Sequence, residues 1–281
     1  MILPKIKDRR IYKVCLMLSF IACLQNKSYA EELPLWELGL GFGGLHQPYY
    51  PGSDETRNIL FPVPLPIYRG NVVKADDDGV RAEMVLNDRV KFDLSFDFNL
   101  SVDSDDVELR DGMDDINSLL QIGPSLEINL KETDTTQWLV KLPVRAAVTV
   151  EDGIDNLGYN FAPNITYFRK FAFRKQPWRF GAAFGPSFGS REYNNIFYGV
   201  DAEFVTDTRE QFQSDSGYAG TRTLLTLKSQ NSKRLLVWFL RYDEINGAEF
   251  EDSPLVANSG GLSAGFVYSH FFWKSKHTVT Q

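Results

Sequence analysis

The chain holds three histidines, His46, His270 and His277, and one of them stands beside a hydroxyl in "YSHFF" (268–272). A neighbouring Ser and His invite a hydrolase reading, in which the imidazole takes the serine proton. The flanking residues argue against it. Leu262, Ala264, Phe266, Tyr268 and His270 fall on one strand face, and Ser269 points to the other. The two cannot hydrogen-bond there, so no catalytic residue is expected. "GLGFGG" (39–44) has the glycines of a nucleotide loop, but at period two and with no helix after it. It reads as a strand. Carboxylates cluster in "KADDDG" (74–79), "DSDDVELRDGMDD" (103–115) and "GAEFEDSP" (247–254). The second lacks the glycine and closing glutamate of an EF-hand loop, so these read as solvated loops, with no metal and no cofactor expected.

The elements that carry these residues are long strands. In "RVKFDLSFDFNLSVD" (89–103), Val90, Phe92, Leu94, Phe96, Phe98, Leu100 and Val102 alternate without a break with polar residues that include Lys91, Asp93, Asp97 and Asn99. Soluble strands average about five or six residues, and this one is far longer. The pattern recurs at 36–43, 120–130, 138–151 and 178–189, with Trp36, Trp138, Trp178 and Trp273 near strand ends and turn residues between runs. A bilayer demands tilted strands of about 9 to 11 residues, apolar towards lipid and polar towards a lumen. A soluble β-sandwich or lipocalin-like barrel also alternates. However, it could not bury Lys91, Asp93, Arg145 and Arg179 unpaired in a small core.

The first 30 residues fit a signal peptide. Lys5, Lys7, Arg9, Arg10 and Lys13 precede the apolar run 14–24, and Ser28-Tyr29-Ala30 offers a small-x-small cleavage site. Cleavage there removes Cys15 and Cys23, so the exported chain has no thiol for a disulfide or metal. It also removes six Lys/Arg and one Asp, which moves the net charge from −7 to −12. A basic footprint for nucleic acid is absent. The expected organisation is a signal peptide (1–30), an all-β transmembrane antiparallel up-and-down barrel (31–273) and a polar tail (274–281). Its surroundings would be outer-membrane lipid and lipopolysaccharide.

About twelve strands are expected, an even number that keeps both termini periplasmic. They are 34–43, 58–69, 71–87, 89–103, 118–131, 136–150, 157–169, 177–189, 192–200, 217–229, 233–243 and 261–273. His46 then falls in the first loop, His277 in the tail, and the segment 104–117 on the periplasmic side. This last placement makes Asp105, Asp106, Asp111, Asp114 and Asp115 candidate docking residues for a periplasmic partner.

The segment 46–70 is the least ordinary. Tyr49, Tyr50, Pro51, Gly52, Ser53 and Asp54 form a turn with an aromatic lead-in, and Pro62, Pro64 and Pro66 fall on one strand face. Three prolines remove three ladder donors, which predicts an open or irregular strand edge, a docking seam or a lateral opening. "YYPGSDE", "PVPLPIYRG", "DGMDDI", "YNNIFYGV" and the closing "GLSAGFVYSHFF" together resemble the MipA/OmpV (MltA-interacting protein) family of outer-membrane proteins. The resemblance implies a barrel without enzymatic activity. It also implies a scaffold that ties a lytic transglycosylase to a penicillin-binding protein. One departure is that eight residues follow Trp273, where such barrels usually end on an aromatic residue that the barrel-assembly machinery reads. The internal "FVYSHFF" would then serve as that signal. The alternatives are a pore for small solutes and a surface adhesin acting through 44–57, 201–216 and 244–260.

Overall fold

The computed structural model describes residues 32–69, 73–76, 79–82, 84–87, 89–149 and 155–280; the expected signal peptide and its cleavage site lie outside them. In chain order the strands are β1 (Glu32–Pro34), β2 (Trp36–Pro48), β3 (Thr56–Arg69), β4 (Val73–Asp76), β5 (Gly79–Ala82), β6 (Met84–Asn87), β7 (Val90–Asn99), β8 (Leu119–Glu132) and β9 (Thr136–Thr149). They continue as β10 (Asp155–Phe161), β11 (Asn164–Phe173), β12 (Gln176–Gly189), β13 (Gly217–Gln230), β14 (Arg234–Glu244), β15 (Gly260–Lys274) and β16 (Thr278–Thr280). Among the described residues one α-helix, α1 (Arg191–Tyr198), interrupts the series.

Every described pairing between these strands is antiparallel. The main sheet runs β5-β4-β3-β2-β15-β14-β13-β12-β10-β9-β8-β7-β6, with β11 continuing the lane of β10 between β9 and β12. That lane was expected as one strand over 157–169. It breaks at Ala162-Pro163, where proline supplies no ladder donor. The sheet curls on itself, since Arg222 of β13 reaches across to Asp97 of β7 at 3.3 Å. Ten lanes are spanned by long strands, and the short strands between β3 and β7 fill one or two more. This is a transmembrane β-barrel of eleven to twelve strands.

Alternation does what the sequence pattern requires. Leu40, Phe42, Phe92, Phe96, Phe98, Phe184 and Trp238 stand exposed on the outer wall, as lipid-facing residues should. Glu37, Asp93, Gln121, Ser125 and Ser269 are buried on the inner one. Bulky inner side chains are matched by small ones. A Cβ on Gly43 would lie 2.7 Å from the ring of Phe61 on the neighbouring strand.

Sidedness departs from expectation. The stretch 71–87 is not one spanning strand: β4 and β5 form a hairpin, with Asp76 opposite Gly79, and β6 pairs with the start of β7. The chain therefore leaves and re-enters the barrel at the same end. The lanes from β7 to β12 shift by one crossing relative to the expected count, and the helix that replaces the expected strand at 192–200 restores the direction of β13, β14 and β15. The turns at 133–135, 174–175 and 231–233 are tight and lie at the end that carries both termini, where Leu35 N–H donates to His277 and Ser275 N–H to Trp36. Arg174 and Lys175 adopt φ of 51° and 63°, the left-handed pair of a two-residue hairpin. The long segments 49–55, 100–118, 190–216 and 245–259 gather at the opposite end. Termini and short turns mark the periplasmic end of bacterial barrels. Segment 104–117 therefore belongs to the outer end, and Asp105, Asp106, Asp111, Asp114 and Asp115 do not face the periplasm.

Two smaller corrections follow. His46 sits within β2, its Nδ1 3.0 Å from Asn58 Oδ1, rather than in a loop. "REYNNIFYGV" forms α1 rather than a strand. Ser190 caps it by accepting from Tyr193 N–H, and Asn194, Phe197 and Tyr198 are buried together at helical spacing.

Candidate functional site

The outer end is closed by a packed cap. Tyr50, Val102, Val107, Ile116, Phe197, Tyr198, Ile245 and Phe250 form one buried cluster drawn from four separate loops. Tyr198 stacks on Phe250 with ring centroids 3.6 Å apart, and Tyr50 meets Tyr198 edge-on at 5.9 Å. Polar groups in the cap find partners. Tyr198 Oη donates to Pro51 O at 2.7 Å, Tyr50 Oη to Leu255 O at 2.9 Å, and Ser253 Oγ to Tyr198 O at 2.7 Å. Gly52 turns the chain at φ +100°, and its carbonyl accepts from both Ala257 and Asn258 N–H.

The two candidate segments from the sequence meet here. Tyr49 Oη donates to Asp106 at 3.0 Å, and Glu108 N–H donates to Glu55 at 3.0 Å. Asp115 accepts from Ser104 N–H, while Asp114 and Asp111 use their backbone carbonyls to receive Arg110 and Arg209. Ser53 hydroxyl bonds within its own turn to Glu55. Asp54 and Asp105 carboxylates stay exposed. The acidic run is thus a structured part of the lid. Arg110 and Arg209, both buried, were not singled out from the sequence; each threads loop carbonyls together, Arg209 joining Leu109, Asp111 and Phe204.

Burial raises the Tyr50 phenol well above its ordinary value and does the same to Tyr198. A neutral phenol held in the fold contributes its full stability below the free value of about pH 10 and loses it as pH rises through the raised one. Phenolate absorbance on alkaline titration should therefore show a delayed phase for these two side chains. The same phase should coincide with cap opening, read by proteolysis of 190–216. Ionisation of all tyrosines in one ordinary step would contradict this.

Beneath the cap the lumen holds charges. Arg222 bonds Asp243 at 2.7 Å and Asp97 at 3.3 Å; Arg241 forms an ion pair with Asp243 at 2.7 Å, and Arg145 lies 4.0 Å from Asp97. A cavity of about 380 Å³ lies among Asp93, Ser125, Glu127, Lys141, Arg145 and Thr166, with Lys141 paired to Glu127. Ser269 is buried inward, while the His270 ring lies 4.8 Å from Phe272 on the outward face, so the two do not form a dyad.

Among the described residues the wall shows a seam between β3 and β7. β3 is paired with β2 from Thr56 to Tyr68, but on its other edge the described residues pair with β4 at Tyr68 and Arg69 alone. Among the described residues, β7 pairs on that side with β6 over Val90–Phe92 alone. In an antiparallel strand, alternate residues direct their backbone groups to opposite neighbours. The β2 ladder runs through Pro62, Pro64 and Pro66, which have no N–H to give, so the missing donors are those of the open edge. Side chains of all three prolines stand on the outer face, opposite Phe42, Leu40 and Leu38. The seam is spanned near its top by Arg57, which donates to Ser101 O at 2.5 Å and reaches Leu100 O at 3.5 Å.

A long-stranded barrel with an apolar outer wall, a charged lumen and a lidded outer end is an outer-membrane β-barrel. Residues 40–272 match the family model described as MltA-interacting protein MipA, and the chain belongs to that family. A comparison with curated proteins returned no match. Among solved structures the chain is similar to the Pseudomonas putida toluene transporter TodX, at 9% identity, TM-score 0.32, covering 84% of this chain and 89% of that one. It is also similar to the monoaromatic hydrocarbon channel CymD, at 11% identity, TM-score 0.32 and coverage of 85% and 89%. OprG from Pseudomonas aeruginosa matches at 9% identity, TM-score 0.24 and coverage of 86% and 95%.

Proposed function

We propose that the chain is a non-enzymatic outer-membrane tether that holds peptidoglycan-remodelling enzymes, a lytic transglycosylase and with it a penicillin-binding protein, at its periplasmic end. The observation that carries this reading is the cap: with the outer mouth filled by a buried cluster, the surface left for a periplasmic partner is the opposite rim. That rim presents the ribbon of β1 with β16 and the tight turns at 133–135, 174–175 and 231–233. The family description, which names an interaction with MltA, supports the same direction. The outward His270 and inward Ser269 are in keeping with a chain that does no hydrolysis.

The test is capture from a detergent-solubilised envelope on the refolded, immobilised barrel. Retention of a lytic transglycosylase, lost when residues 275–281 are removed from a barrel that still migrates as folded, is the expected result. A barrel that holds no murein enzyme would refute the tether. A second reading, a pore for small solutes, draws on the charged cavity around Lys141 and Arg145. It requires conductance steps from the intact protein in a planar bilayer, and the tether reading expects none.

A further inference from the structure

The seam between β3 and β7 holds a cavity of about 480 Å³, lined by Leu45, Ile59, Phe61, Phe98, Leu100 and Phe197 with Arg57 among them. This volume lies in the range of sites that take small molecules, roughly 300–1,000 Å³. Its lining crosses the wall. Ile59 and Arg57 lie on the inner face of β3, whereas Phe98 stands on the outer face of β7, 54% exposed. The space therefore joins the lumen to the lipid side just below the cap. Unpaired strand edges do not persist against hydrocarbon, but they are tolerated where backbone lines a cavity. Prolines at 62, 64 and 66 lower that cost further by removing donors from this edge.

The chemistry of the lining is two-sided. Most of it is apolar, yet the guanidinium of Arg57 has no carboxylate within 4.0 Å among the described residues. Its Nε is buried without a partner, and its plane lies 5.0 Å from the Tyr49 ring. A group that suits this place has an apolar body to lie along Ile59, Phe61 and Phe98 and one negative head for the cation.

We infer that the β3–β7 seam is a binding and passage site for a single-chain anionic amphiphile, a free long-chain carboxylate, moving between the lumen and the outer leaflet. The inference is independent of the tether reading, which concerns the other end of the barrel.

The probe is radiolabelled dodecanoate, measured as retention by nanodisc-embedded protein above empty nanodiscs, with dodecanol as the uncharged competitor. Parent protein should retain dodecanoate saturably. Arg57→Gln should weaken dodecanoate about tenfold and leave dodecanol competition unchanged, the signature of a lost charge contact. Ile59→Trp, which fills the cavity, should abolish both. Heat-modifiable migration checks that each variant keeps its barrel, and Ile59→Met, of similar volume, should retain both ligands. Retention no greater than empty discs would overturn the proposal. So would full retention by a folded Ile59→Trp. Displacement of dodecanoate by phosphatidylglycerol would reassign the site to bilayer lipid and equally overturn it.

Discussion

Tyr198→Ala should turn a silent barrel into a conducting one. The side chain is buried, stacks face-on against Phe250, meets Tyr50 edge-on and donates to Pro51 O, so three loops lose a common anchor at once. Truncating a buried aromatic costs about 3–5 kcal/mol, and here the loss falls on the lid rather than on the wall. The ladders β12–β13, β13–β14 and β14–β15 do not depend on it. The barrel should therefore stay folded while 190–216 and 245–259 become protease-sensitive and single-channel steps appear in a planar bilayer. Tyr198→Phe keeps the stacking and loses one hydrogen bond, about 1 kcal/mol, and should stay silent. Equal conductance from both variants, or from neither, would show that the aromatic cluster does not seal the mouth.

The second large effect lies in the lumen. Arg222→Leu removes a side chain that bonds both Asp97 and Asp243, and Asp243 is held at 9% side-chain exposure. Asp97 and Arg222 keep 32% and 39% side-chain exposure, so taking away Arg222 leaves a half-buried carboxylate under-compensated, at a cost of about 1–3 kcal/mol. Arg241 still contacts Asp243, so Asp97, left with Arg145 at 4.0 Å, bears most of the loss. Arg222→Leu should lower the denaturant midpoint in detergent, and Arg222→Leu combined with Asp97→Asn should recover more than half of the drop. A double variant no better than the single one would place the cost in packing instead of charge.

Much of the wall was legible in the sequence because period-two alternation has one physical meaning in a bilayer. Trp36, Leu38, Leu40 and Phe42 face out, and Glu37, Gly39, Gly41 and Gly43 face in, as their order demands. The three prolines likewise announced an edge without donors. Three features were harder. The hairpin at β4–β5 hid inside a run of plausible strand residues, and misreading it as one crossing reversed the side of 104–117. α1 looked like a poor strand, although Ser190 followed by Tyr193, Asn194 and Phe197 carries a cap and a helical spacing that could have disclosed it. The cap itself was not foreseeable, because Tyr50, Val102, Tyr198 and Phe250 lie far apart in the chain and only closure of the barrel brings their loops together.

The position of the seam also bears on how such a wall is completed. The first and last long strands, β2 and β15, meet in a ladder from His46 opposite Ala264 down to Glu37 opposite Lys274. The join between β2 and β15 is therefore paired along its length apart from one register shift between Phe271 and Trp273, and the gap lies further in, between strands both made early. An imperfectly zipped final junction would sit at β2–β15. A discontinuity placed elsewhere is written into the chain before the cylinder closes, by three residues that can never donate.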